Sequence, residues 1–227
     1  TQASGTLWQG QATVMLTGGA GSQDLSALPQ FLHWQLKPQW NASTGWRPGL
    51  KVSLTHDCCI NGTLQLDWVA QSEGWSATLA ATGASSNPWA HIPLNWLTGL
   101  GTPWNTLQPS GELLLSGSPL TITSRQQQVQ LQGQLQIRMD NVASRVSTLP
   151  RLGSYRLDIR SEGGLVMQLS SEPDSALQLQ GQGRWSPDTG AQFRGSAHAV
   201  SGREDALNNL LNIIGRREGA KSVLSFG

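Results

Sequence analysis

The stretch VQLQGQLQIRM, Val129 to Met139, decides the fold. Its odd positions are apolar (Val129, Leu131, Leu135, Ile137, Met139) and its even positions are Gln130, Gln132, Gln134, Gln136 and Arg138. Side chains alternate across a strand, so this parity gives one face to bury and one to wet, which is antiparallel behaviour. The same one-sided pattern runs through Trp8/Ala12/Val14/Leu16, Leu32/Trp34/Leu36, Leu50/Val52/Leu54 and Leu64/Leu66/Trp68. It returns in Tyr155/Leu157/Ile159, Leu165/Met167/Leu169, Leu177/Leu179/Trp185 and Phe193/Ala197/Ala199. About a dozen such strands with short polar connections predict an all-β protein: a large curved antiparallel sheet, a sandwich or an incomplete barrel. The one interruption of the opening stretch is Gly133. LWQGQATV, LQGQLQI and LQGQGRW echo one another around Gly10, Gly133 and Gly181. A glycine inside a strand marks a bulge, a bend or a close backbone approach.

Helical periodicity occurs in two places. IPLNWLTGL, Ile92 to Leu100, reads as a turn or two beginning at Pro93. SGREDALNNLLNIIG predicts a short C-terminal helix over Arg203 to Ile214. Ser201 and Glu204 suit a capping box, and Leu207, Leu210, Leu211 and Ile214 form an apolar stripe. Gly215 stops it, and SVLSF then returns as a strand that closes the sheet. Residues 85–111 hold four prolines and three tryptophans. Strands on both sides share one style, so this segment reads as a connector within a single domain spanning residues 1–227.

The bulk composition excludes several classes of function. Of 227 residues only 13% are charged, with 15 Lys and Arg against 14 Asp and Glu. That balance leaves no electrostatic footprint for nucleic acid or an acidic membrane surface. No apolar run is long enough to span a bilayer as a helix. The chain starts at Thr1 without a signal sequence, which reads as a mature or trimmed product.

Chemistry concentrates at THDCCINGT, where Cys58 and Cys59 follow His56 and Asp57. On a strand His56 and Cys58 would share a face, but nothing around them resembles a cysteine-hydrolase signature. A zinc site needs three or four suitably spaced ligands, and His33, His91 and His198 lie far off in sequence. Hairpin arithmetic points elsewhere. A two-residue Asn61-Gly62 loop would pair residues whose numbers have an odd sum, setting the even apolar row Leu50/Val52/Leu54 against odd positions. Yet the next strand carries Leu64, Leu66 and Trp68 on even positions, and a one-residue slip reverses every side chain. The alternation must therefore break between Leu54 and Leu64. A disulfide between Cys58 and Cys59, or a bulged turn around them, would break it.

Nine of the ten tryptophans lie at or before Trp104. Trp8, Trp34 and Trp68 share parity with Leu and Val and read as core. Trp40, Trp46, Trp89 and Trp104 sit beside Pro, Asn or Gly in apparent loops and are the candidates for exposed contacts. No paired glycosidase carboxylates, phosphate loop, dinucleotide turn or HExxH occurs, so no catalytic, cofactor or metal residue is expected.

ALNNLLNIIGRREGAKSVLSFG, together with GTLWQGQA, HWQL, LGSYRLDIR and ALQLQGQGRW, resembles the N protein of bacterial type II secretion systems from one end of the chain to the other. The resemblance implies a non-enzymatic accessory subunit, contacting other inner-membrane or periplasmic secretion components. It also implies a periplasmic region behind a single transmembrane helix that is absent from this chain. In that compartment a Cys58–Cys59 disulfide is chemically reasonable. The alternative is a ligand-binding module, taking glycan on exposed Trp or lipid on an apolar sheet face.

Overall fold

The computed structural model describes residues 3–18, 24–41, 46–83, 88–126, 128–162, 164–186 and 189–227. In chain order the strands begin with β1 (Ala3–Gly5), β2 (Gln9–Ala12), β3 (Met15–Thr17), β4 (Leu25–Ala27) and β5 (Leu32–Asn41). Next come β6 (Arg47–His56), β7 (Thr63–Gln71), β8 (Gly74–Thr82) and β9 (Ala90–Pro93). A 3-10 helix (Leu94–Leu100) and the short α1 (Trp104–Leu107) lead to β10 (Pro109–Gly117), β11 (Leu120–Arg125), β12 (Gln128–Gln132) and β13 (Gln134–Ser144). The chain continues through β14 (Gly153–Ser161), β15 (Leu165–Ser171), β16 (Leu177–Ser186) and β17 (Gly190–Ala199). It finishes with α2 (Glu204–Ile214), β18 (Arg216–Glu218) and β19 (Lys221–Phe226).

These strands form two large antiparallel sheets. One has eight strands in the order β1-β2-β5-β6-β7-β8-β11-β12, and the other nine, β18-β19-β17-β16-β15-β14-β13-β10-β9. A small hairpin, β3-β4, stands apart. Among the described residues the sheets form no closed barrel. The strand count exceeds a dozen because pieces such as β1, β3, β4 and β18 are three residues long, too short to show alternation.

The opening stretch is divided between the two sheets. β12 pairs with β11 in the first, whereas β13 pairs with β10 and β14 in the second. Gly133 is the crossing point. Its φ is +122°, and a Cβ there would stand 2.5 Å from the carbonyl oxygen of Pro119. Only glycine takes that conformation at little cost in so tight a space. Beside it, the Ser161 amide donates to the Gly133 carbonyl at 3.3 Å and the Ser161 hydroxyl donates to the Leu131 carbonyl. The other two echo glycines do a different job. A Cβ on Gly10 would meet the Trp34 ring, and one on Gly181 the Phe193 ring, so both leave room for an aromatic neighbour.

The register at β6–β7 bears out the parity argument. Leu54 faces Leu64, Val52 faces Leu66 and Leu50 faces Trp68, so the apolar rows coincide, and six residues rather than two make the connection. Two tryptophans depart from the expected core. Trp8 and Trp68 are exposed, because the rows of the eight-stranded sheet are only half-buried and its ends lack cover.

The well-packed core lies on the nine-stranded sheet. Leu107, Leu152, Tyr155, Leu177 and Ala197 meet Leu207, Leu210 and Leu211 of α2, with Ile214 packed against them. The three buried leucines of α2 contribute roughly 5–9 kcal/mol of gross hydrophobic free energy. Polar bonds set the helix in place. The buried Ser222 hydroxyl on β19 donates to the Leu211 carbonyl at 2.6 Å, and the Ser147 hydroxyl donates to the Ala206 carbonyl at 3.2 Å. The buried Tyr155 hydroxyl donates to the Leu177 carbonyl at 3.1 Å, and burial holds its pKa well above the usual phenol range.

The expected capping box does not form. Arg203 occupies the cap position without a side-chain bond, since the chain turns through Gly202 after Ser201 and leaves Ser201 two residues outside. Glu204 and Asp205 still lie in the first turn, where the helix dipole favours them. SVLSF does return, as β19 between β17 and β18, but the sheet stays open.

Two substitutions test this arrangement. Leu210→Asp with Leu211→Asp places two charges in the core and should abolish the cooperative thermal transition or sharply raise hydrophobic-dye binding. Gly133→Val should lower stability by roughly 1–3 kcal/mol in denaturant titration.

Candidate functional site

β6 pairs with β5 up to its last residue, where His56 stands opposite Leu32. The chain then leaves the sheet in a tight turn. The Cys59 and Ile60 amides both donate back to the His56 carbonyl, at 3.2 and 3.1 Å. Cys58 and Cys59 have Cα atoms 3.7 Å apart and their sulfur atoms in contact. Six connecting residues absorb the phase change that the flanking apolar rows demand.

The turn also reaches the other sheet. The His91 amide donates to the Cys59 carbonyl at 3.0 Å, and the Asn61 amide donates to the Trp89 carbonyl at 2.9 Å. The Asn61 side-chain amide donates to the Pro88 carbonyl at 2.8 Å, and Ile60 bridges to Ala90. β9 is thereby held on one side by the turn and on the other by β10, where the Trp89 amide donates to the Leu115 carbonyl at 2.6 Å. The Cys58–Cys59 turn is a clasp between the end of the first sheet and the edge of the second.

Burial at the clasp is high. Cys59 and His56 are each 3% exposed, whereas Cys58 is half-buried. Among the described residues neither ring nitrogen of His56 has a hydrogen-bond partner. Desolvation pushes its pKa below the usual histidine range; Asp57 opposes that shift and His33 adds to it.

The four candidate tryptophans lie in different settings. Trp89, expected to be exposed, is 4% exposed: it lies beneath the clasp with its backbone bonded on both sides. Trp104 opens α1 and is half-buried. Trp40 and Trp46 are 67% and 74% exposed. Trp40 belongs to β5 rather than to a loop, paired with Pro48, and Trp46 immediately precedes β6. They mark the tip of the β5–β6 hairpin. β6 spans ten residues, so that tip stands about 30 Å from His56. Their large exposure was legible in their Pro, Asn and Gly neighbours; the burial of Trp89 was not, because its cover comes from a distant turn.

An open groove of about 810 Å³ lies between β4, the 3-10 helix, α1 and β13. Its polar lining is answered from within. Asn105 Nδ2 donates to Asp24 Oδ2 at 2.9 Å, and Arg145 Nη1 donates to Gln108 Oε1 at 2.7 Å. Among the described residues no helix is long and apolar enough to cross a membrane.

Three measurements follow from this geometry. Mass spectrometry of unreduced, alkylated protein should find no free thiol at Cys58 or Cys59. Trp89→Ala should cost about 3–5 kcal/mol of stability. Trp40→Ala and Trp46→Ala should stay within about 0.5 kcal/mol of the parent.

A family model described as "Type II secretion system (T2SS), protein N" matches residues 1–224 of the chain. No curated protein and no solved structure matches it significantly.

Proposed function

Since the chain belongs to the type II secretion system protein N family and is thus an accessory component of that machinery, we propose that it works without catalysis, through protein–protein contacts at the periplasmic side of the inner membrane. The family match over nearly the whole chain carries this reading. The exposed features support it, being those of a docking body: two open sheets and a hairpin tip carrying Trp40 and Trp46.

Partner binding uses that tip together with the free margins β1 and β18. Exposed indoles bury large apolar area against a partner, and edge strands offer unpaired backbone groups to it. The partners are other inner-membrane or periplasmic secretion components. The clasp, with Cys58 and Cys59 disulfide-bonded, joins both sheets into one domain spanning the chain.

A second reading draws on one observation. The apolar rows of β5, β6 and β7 are half-buried, whereas α2 packs on β17, β18 and β19. Such a face suits a lipid, and the exposed tryptophans suit a glycan. Trp fluorescence titrated with phospholipid vesicles and with peptidoglycan fragments distinguishes this reading from the first.

Photo-crosslinkers placed at positions 40, 46, 4 and 217 of the membrane-anchored protein, in cells, should capture secretion-system components. Trp40→Ala with Trp46→Ala should reduce capture from β1 and β18 several-fold. Unchanged crosslinks in that double variant, and again with proline introduced in both margins, would move the interface elsewhere on the molecule.

A further inference from the structure

Three donor atoms meet at the end of β6. One each from His56, Cys58 and Cys59 lie within 4.8 Å of one another. His56 is nine-tenths buried or more, and neither of its nitrogens is satisfied. Buried imidazoles normally bond through at least one nitrogen, so this ring is placed beside the sulfurs without the partner its chemistry calls for. Adjacent cysteines on a regular strand would point to opposite faces, but the tight turn brings both sulfurs to the His56 side of the strand end.

We propose that reducing the Cys58–Cys59 pair opens a three-donor site for one thiophilic divalent cation of the zinc type. A zinc ion bonds thiolate at about 2.3 Å and imidazole at about 2.0–2.1 Å, so in tetrahedral geometry its donors stand about 3.5–3.8 Å apart. All three donors already lie within 4.8 Å of one another, and breaking the sulfur–sulfur bond lets the two sulfurs separate toward that spacing. The charge also fits. Two thiolates cancel a divalent cation, leaving a neutral group where burial penalises net charge. Half-buried Cys58 leaves one side open to a water as the fourth ligand.

The redox step balances with a dithiol reductant. One of its thiolates attacks Cys58 Sγ, the sulfur–sulfur bond breaks, and Cys59 leaves as a thiolate that takes a proton. The reductant's second thiol then resolves the mixed disulfide. Two electrons have passed to the protein, which holds two thiols, and the reductant has become a disulfide. Cation binding displaces the two thiol protons to solvent. Either covalent bond or cation draws the two sulfurs together, so the clasp on β9 persists in both states.

The oxidised half of this proposal rests on the disulfide reading, so thiols are counted first. The 227-residue chain is then reduced with a phosphine, stripped with chelator and titrated with Co²⁺ as a spectroscopic probe, followed by Zn²⁺. One equivalent of Co²⁺ should give a thiolate charge-transfer band that Zn²⁺ removes, and the oxidised protein should give none. His56→Gln should weaken binding about tenfold or more. Cys58→Ser, at a half-buried position where folding is checked by circular dichroism, should remove most of the band. The proposal is overturned by a missing band when two thiols are counted, by equal uptake in oxidised and reduced protein, or by full affinity in both variants. Free thiols in the protein as isolated would defeat the disulfide reading alone, leaving the titration to decide the cation site.

Discussion

Two open antiparallel sheets in one chain must each end somewhere, and every end presents backbone groups that seek a partner. Here the Cys59 carbonyl and the Asn61 amide supply those partners to His91 of β9, the last strand of the second sheet, and to Trp89 just before it. Without them β9 would be an unprotected four-residue edge held only by β10. With them, the loop after β6 becomes a structural joint. The burial of Trp89, Cys59 and His56 follows from this joint, since all three lie where the sheets are drawn together.

Stability is distributed unevenly on either side of the joint. The nine-stranded sheet has a true core, closed by α2 and anchored by Ser222, Ser147 and Tyr155. The eight-stranded sheet has aligned apolar rows but only half-buried ones, so it relies on cross-strand pairs and on its connections to the rest. The clasp is one of these connections and Gly133 is another. One half carries the packed core, and the other presents a half-buried face with Trp40 and Trp46 exposed near the end of its β5–β6 hairpin.

The same division explains where reading residues alone succeeds. Ion pairs contribute little to either half; the pair between Arg151 and Asp174 is exposed, although the guanidinium holds the Asp174 carboxyl below its usual range. The two halves therefore cohere through backbone hydrogen bonds and apolar contact. Apolar contact leaves a periodic trace in the sequence, whereas backbone hydrogen bonds between distant segments leave none.

Period-two alternation, a property of each segment by itself, determined the longer strands, their antiparallel pairing and the need for a break between Leu54 and Leu64. The leucine stripe likewise determined α2, and the order of several short segments along the whole chain pointed to the family. Tertiary structure decided what no single segment encodes. It split Val129–Met139 between two sheets at Gly133, where the neighbouring Pro119 carbonyl leaves no room for a side chain. It buried Trp89 and exposed Trp8 and Trp68, because solvent cover depends on which distant element lies above a side chain. It turned the cysteine pair from a local irregularity into the joint of the molecule, since the bonds that make it so come from residues some thirty positions away.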